Sequence, residues 1–324
     1  MAPADRCRCV RPAPGLVRSR PRLGARATLV ALLPLLLTGS LLVLAPPAAA
    51  AEDVATEESL VPSGTGAEAV ELDTTLYLPA SADDEPAPAV VLAHGFGGSK
   101  RSVDADAQDL AARGYVVLTY SARGFGRSTG QIGLNDPRYE IADLSTLLDL
   151  LAERDEVQQD DDGDPRVGVA GGSYGGALAL LGAGYDDRID AIAPQITWNS
   201  LTAALFPSQT GPADDDGTVA ATPQDAGAGV YKRLWAGLFF GVGSVPSGGL
   251  LESFTGGSGA STEDTRPDLS TLDPALIEQS LLCGRFRADI CAAYQTAAAT
   301  GGLTPEIAAV LDRSSPATIL DRIE

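Results

Sequence analysis

Val167-Gly168-Val169-Ala170-Gly171-Gly172-Ser173-Tyr174-Gly175-Gly176-Ala177 packs a β-rich run, a Gly-x-Ser-x-Gly motif and the start of a helical pattern into eleven residues. With 36 glycines in 324 residues the motif alone is weak. Its place between a strand and a helix makes it specific. A sharp strand-to-helix corner lifts the Ser173 hydroxyl above a sheet and aims backbone N–H groups at an oxyanion forming beside it. A Cβ at Gly171 or Gly175 would collide with the neighbouring strand or helix. Ser173 is therefore the candidate nucleophile of an acyl transfer, a reaction that needs no metal or organic cofactor.

Outward from this corner, strand-like and helix-like segments alternate. Ala89 to Ala93 and Tyr115 to Tyr120 are short apolar or β-rich runs, and Ile189 to Ile196 is another. Between them Val103, Ala107, Leu110 and Ala111 mark one helix face, closed by Gly114. Ile141, Leu144, Leu148 and Leu151 mark a second. Alternation of this kind predicts an α/β fold with a doubly wound, mostly parallel sheet and its ligand site at the strands' carboxyl ends. From about Trp198 glycine, serine and proline become dense and the apolar segments, such as Leu276 to Tyr294, look helical. That region reads as a partly helical lid over residues 199–316.

His94-Gly95-Phe96-Gly97-Gly98 ends the first of those apolar runs. Its glycines, Gly95 and Gly97 among them, let the backbone bend so that the N–H of Phe96 joins that of Tyr174 as an oxyanion donor. His94 is the only histidine of the chain. The loop's task needs backbone, not imidazole, facing the substrate, so His94 reads as a structural hydrogen-bonding group. Neither lysine replaces it: Lys100 reads as a solvated helix-start residue and Lys232 as a surface residue of the lid.

These stretches resemble the α/β-hydrolase superfamily and, within it, the X-Pro dipeptidyl-peptidase (S15) and cocaine-esterase-like group. Ser121-Ala122-Arg123-Gly124-Phe125-Gly126-Arg127-Ser128-Thr129-Gly130, then Asp143, and Ala193-Pro194-Gln195-Ile196-Thr197-Trp198 carry the resemblance further. It covers residues 70–200 well and the lid loosely. It implies Ser173 as nucleophile, Phe96 and Tyr174 as oxyanion donors, and a small peptide or ester as substrate. In this fold the triad Asp and then His follow the lid and further strands. Asp187, Asp190 and Asp321 follow Ser173, but none lies beyond a further strand, so no triad Asp is assigned. The expectation is a chain whose C-terminal strands are missing, with residues 317–324 starting a return to the core. The alternative to an active serine hydrolase is a truncated, inert one.

Seven arginines between Arg6 and Arg26, the apolar run Ala27 to Ala45 and the small residues around Ala48 to Ala51 read as an export signal over residues 1–50, with an uncleaved anchor as alternative. Residues 51–67, acidic and without periodicity, read as a linker, leaving a core over 68–198. Without the signal the 23 basic residues lose seven arginines and the 43 acids lose Asp5, giving a net charge of −26. Such a surface repels phosphate backbones and anionic headgroups, which argues against nucleic-acid and membrane partners. Cys283 and Cys291 remain as an even pair in an oxidising compartment. A bridge between them requires the chain to turn near Gly284, since one unbroken helix would hold them about 12 Å apart; two buried thiols are the alternative. Asp160-Asp161-Asp162-Gly163-Asp164 lacks the outer ligands of a calcium loop and reads as a solvated acidic turn.

Overall fold

The computed structural model describes residues 53–207, 231–244 and 283–323. The expected export segment and much of the expected lid lie outside the described residues. The strands are β1 (Val54–Ser63), β2 (Val70–Pro79), β3 (Ala89–Ala93), β4 (Val116–Tyr120), β5 (Gln159–Asp161), β6 (Asp164–Pro165), β7 (Val167–Gly172) and β8 (Ile189–Gln195). Six of them form one sheet in the order β1-β2-β4-β3-β7-β8. β1, β2 and β4 pair antiparallel, whereas β4, β3, β7 and β8 run parallel. The acidic stretch Asp160 to Asp164 is the tip of a separate β5-β6 ribbon.

Alternation along the central strands sorts side chains to two faces. Ala89, Val91 and Ala93 of β3, with Val116, Leu118 and Tyr120 of β4, pack against Leu144, Leu148 and Leu151 of α2 (Ala142–Ala152) and Leu178 and Leu181 of α3 (Tyr174–Ala183). Leu92 and Val117 point the other way, onto Ala107 and Ala111 of α1 (Asp104–Ala111). Helices thus cover both faces, as near-continuous apolar strands require. The chain leaves β3 for β4 on one side and later returns to β7 on the other. That reversal opens a crevice at the carboxyl ends of β3 and β7.

Three expectations need correction. Residues 54–63 are not linker but the ten-residue strand β1, paired with β2 along its whole length. It is the sheet's edge and mostly exposed, so backbone pairing holds it without the alternating burial that marks a strand in sequence. Lys100 is not solvated. It is buried, with Nζ 2.8 Å from Asp73 and donating to the Thr74 carbonyl at 2.9 Å. Residues 317–323 form short 3₁₀ turns rather than a strand, and Ile319 is buried against Gly184 at the end of α3.

After β8 the described residues continue in helices α4 (Leu201–Leu205), α5 (Arg233–Ser244), α6 (Ala288–Thr300) and α7 (Pro305–Arg313). Phe206, Tyr231, Ala297, Ile307 and Leu311 give them a small core of their own. Cys283 and Cys291 are disulfide-bonded, their Cα atoms 5.3 Å apart, and Gly284 turns the chain between them with φ +57°. The next residues dock on the core: Ile132 N donates to the Arg285 carbonyl at 2.7 Å, and Arg287 N donates to the Ile132 carbonyl at 3.1 Å. The predicted helix Leu276 to Tyr294 is therefore interrupted at this turn, its first residues lying outside the described ones.

Candidate active site

Ser173 stands between β7 and α3 with φ 53° and ψ −108°, a conformation that L residues rarely hold. Its own amide donates to the Gln195 carbonyl of β8 at 2.8 Å, and its carbonyl accepts from Thr197 Oγ1 at 2.7 Å and from Ala177 N at 3.0 Å. Backbone on both sides therefore enforces the corner. Glycine is required around it: a Cβ at Gly171 would stand 2.6 Å from the Ala93 carbonyl oxygen, and one at Gly175 would overlap that same oxygen. Tyr174, the first residue of α3, has no intrahelical acceptor for its amide.

The loop from His94 to Gly98 crosses beside this corner. Gly97 has φ +84°, which favours glycine, whereas a Cβ at Gly95 would meet the Gly172 carbonyl only at an ordinary 3.7 Å. The Phe96 ring packs edge-on against Tyr174 with centroids 5.5 Å apart. Among the described residues no acceptor takes the Phe96 amide or the Tyr174 amide.

His94 is buried and both its ring nitrogens are engaged. Nε2 accepts from the Ala122 amide at 3.0 Å, so Nδ1 carries the hydrogen and donates to the Gly95 carbonyl at 2.7 Å. It stitches the loop after β3 to the loop after β4 and does not line the cavity at Ser173. Burial pushes the imidazole down to about 4. Between pH 6.5 and 4 the unfolded chain takes up a proton that the folded chain refuses. Stability therefore falls as pH drops through that window and is fully present above it. Because the chain has one histidine, its ring resonances in an NMR titration are expected to move with a midpoint near 4; a midpoint near 6.5 would show a solvated ring.

Ser173 opens into a cavity of about 390 Å³ between the sheet and the four later helices. Phe96, Tyr174, Trp198, Trp235, Phe239 and Phe240 are among its walls, so aromatic side chains of α5 face the nucleophile. At roughly 30 Å³ for a group the size of water, the space holds about a dozen non-hydrogen atoms. Lys232 lies exposed at its edge, and no Asp or Glu among the described residues lines it. Asp190 instead accepts the Val167 amide at 2.8 Å.

One group beneath the corner escaped the sequence reading. Glu140 and Asn135, both buried, contact Tyr174 from the segment before α2. Asn135-Asp136-Pro137, with Asp136 capping and Pro137 at the first helical position, was the available signal. It marks a helix start and says nothing of what the neighbouring side chains reach.

The chain is similar to proteins already known. The family model of X-Pro dipeptidyl-peptidase (S15 family) matches residues 66–233, just over half of the chain. A quorum-quenching protein, AidA, of Acinetobacter baumannii is 35% identical over 146 residues, 44% of this chain and 46% of that protein. A bis(hydroxyethyl) terephthalate hydrolase of Streptomyces coelicolor is 32% identical over 125 residues, 39% of this chain and 37% of that protein. The chain thus spans less than half the length of either relative. A solved structure of the hypothetical protein PA2218 of Pseudomonas aeruginosa superposes with TM-score 0.41 at 24% identity, covering 53% of this chain and 50% of that one.

Proposed function

The chain belongs to the X-Pro dipeptidyl-peptidase (S15) family of hydrolases and has the α/β-hydrolase sheet, and from that premise we propose an exported serine esterase with Ser173 as nucleophile. The observation that carries this reading is the strained Ser173 corner opening into an apolar cavity. Ser173 Oγ attacks the ester carbonyl, the amides of Phe96 and Tyr174 receive the oxyanion, the alcohol leaves, and water releases the acid.

Ester is preferred to dipeptide for a chemical reason. A dipeptidyl-peptidase must hold its substrate's free ammonium, and an unpaired buried ammonium is costly. Among the described residues the cavity offers it no carboxylate. The relative named for bis(hydroxyethyl) terephthalate acts on an ester of an aromatic acid, which suits walls of this kind. Export is supported by the arginine-rich and then apolar N-terminus and by the Cys283–Cys291 bond.

The test supplies an external base. In imidazole buffer, p-nitrophenyl butyrate is expected to release p-nitrophenol faster with the unaltered chain than with Ser173→Ala, while Ala-Pro-p-nitroanilide stays intact. Cleavage of the amide overturns the ester assignment, and equal rates for the two proteins overturn Ser173. A second reading is favoured by the two hydrogen bonds that occupy His94: these 324 residues bind an ester without turning it over.

A further inference from the structure

Gly133 to Glu140 runs beneath the corner in an unusual conformation. Leu134 and Asn135 have successive left-handed φ values of 63° and 62°, and Pro137–Ile141 forms a wide π-turn. Strained backbone and π-turns concentrate at functional sites. Here they deliver polar groups to one residue. Asn135 Nδ2 donates to the Tyr174 backbone carbonyl at 2.9 Å, and the Asn135 amide donates to the Tyr174 hydroxyl at 3.2 Å. That hydroxyl donates to Glu140 Oε1 at 3.2 Å, which also accepts the Gly133 amide. Gly133 has no room for a side chain, because a Cβ there would stand 2.5 Å from Glu140 Oε2. Leu134, inside the same segment, lines the cavity at Ser173.

We propose that Asn135 and Glu140 are positioning residues for the oxyanion site, holding Tyr174 by its carbonyl and its hydroxyl so that its amide stays aimed at the oxygen of the tetrahedral adduct. The inference rests on the serine-hydrolase reading and adds to it the residues that set one donor's direction. Preorganised donors act because they need no reorientation when charge develops, and a misplacement of about 1 Å can cost 10²-fold.

Burial also bears on the charge of the Glu140 carboxyl. Glu140 Oε2 and Asn135 Oδ1 are buried oxygens without a hydrogen-bond partner. Burial pushes the Glu140 carboxyl up to about 7; the Gly133 amide and Arg123 pull it down, and Asp143 raises it. The phenols of Tyr174 and Tyr120 face it as well, both held far from ionisation by burial.

Phenylboronic acid tests this without turnover. The serine oxygen donates an electron pair to boron, its proton passes to water, and the tetrahedral anion presents an oxygen to the amides. Toluene, the same ring without boron, reports the cavity alone. Affinity for each is measured by NMR titration. Asn135→Ala and Glu140→Ala are expected to weaken phenylboronic acid about 10–100-fold, below the 10²–10³ typical of a lost donor, with toluene changed less than about 2-fold. Glu140→Gln, which keeps an acceptor and adds a donor, is expected to bind like the unaltered chain at pH 6. Should Asn135→Ala not fold, Tyr174→Phe deletes only the shared phenol and is expected to lose about 3–10-fold. Unchanged phenylboronic acid binding in the folded variants, or a matching loss of toluene, overturns the proposal. If Ser173→Ala binds phenylboronic acid as tightly as the unaltered chain, the serine reading fails and takes this one with it.

Discussion

Without added base, the 324-residue chain is expected to turn over p-nitrophenyl butyrate about 10⁶-fold more slowly than a serine hydrolase with its base in place. The magnitude is that of removing the catalytic histidine from a well-studied serine protease. The cause here is geometric. The chain's one imidazole spends Nε2 on the Ala122 amide and Nδ1 on the Gly95 carbonyl, and burial keeps it neutral down to about pH 4. Freeing it would unstitch the loop that carries Phe96. What remains at Ser173 is the strained corner and its amides, which alone support roughly 10³–10⁴-fold over water in that protease. A burst or steady-state assay decides the matter. A turnover number within the ordinary range of about 1–10³ s⁻¹ would mean that a base among these residues takes the Ser173 proton, either another side chain or His94 released from its structural bonds.

The second large effect concerns stability. Arg123 donates from Nε and Nη2 to the two oxygens of Asp143, each at 2.7 Å, and Ser63 Oγ adds a third bond to that carboxylate at 2.6 Å. Arginine and aspartate are 2% and 1% exposed, so truncating either leaves the other charged and dry. Arg123→Ala is expected to cost about 3–5 kcal/mol. At roughly 2–4 °C per kcal/mol for a domain of this size, the melting temperature drops by about 6–20 °C. The double variant Arg123→Met with Asp143→Leu removes both charges and is expected to recover most of that loss. Calorimetry of the three proteins measures it, and a single-variant loss under about 1 kcal/mol would show that water reaches the pair.

That pair also explains the Arg-Gly-x-Gly-x-Ser stretch. Its arginine clamps the loop after β4 to α2. Its Ser128 hydroxyl donates to the Ser121 carbonyl at 2.6 Å and accepts the Asp73 amide at 2.8 Å, tying the same loop to β2. This stretch is scaffold, and its Ala122 amide holds the His94 ring of the neighbouring loop.

What sequence alone determined is whatever repeats or turns locally. β3, β4, β7 and β8 are short apolar or β-rich runs, and α1 and α2 each carry an apolar face at the 3.6-residue period. The Ser173 corner is written in consecutive glycines whose missing side chains leave room for the Ala93 carbonyl. Tertiary structure decided the rest, because partners distant in sequence supply it. β1 is a strand only because β2 lends it ten residues of backbone pairing. Lys100 is buried only because β2 sets Asp73 beside it. Trp235 and Phe239 wall the nucleophile's cavity only because the later helices fold back over the sheet. Asn135 and Glu140 reach Tyr174 across 39 and 34 residues of chain. A side chain's type and spacing state what it can bond to, and only the folded path brings that partner within about 3 Å.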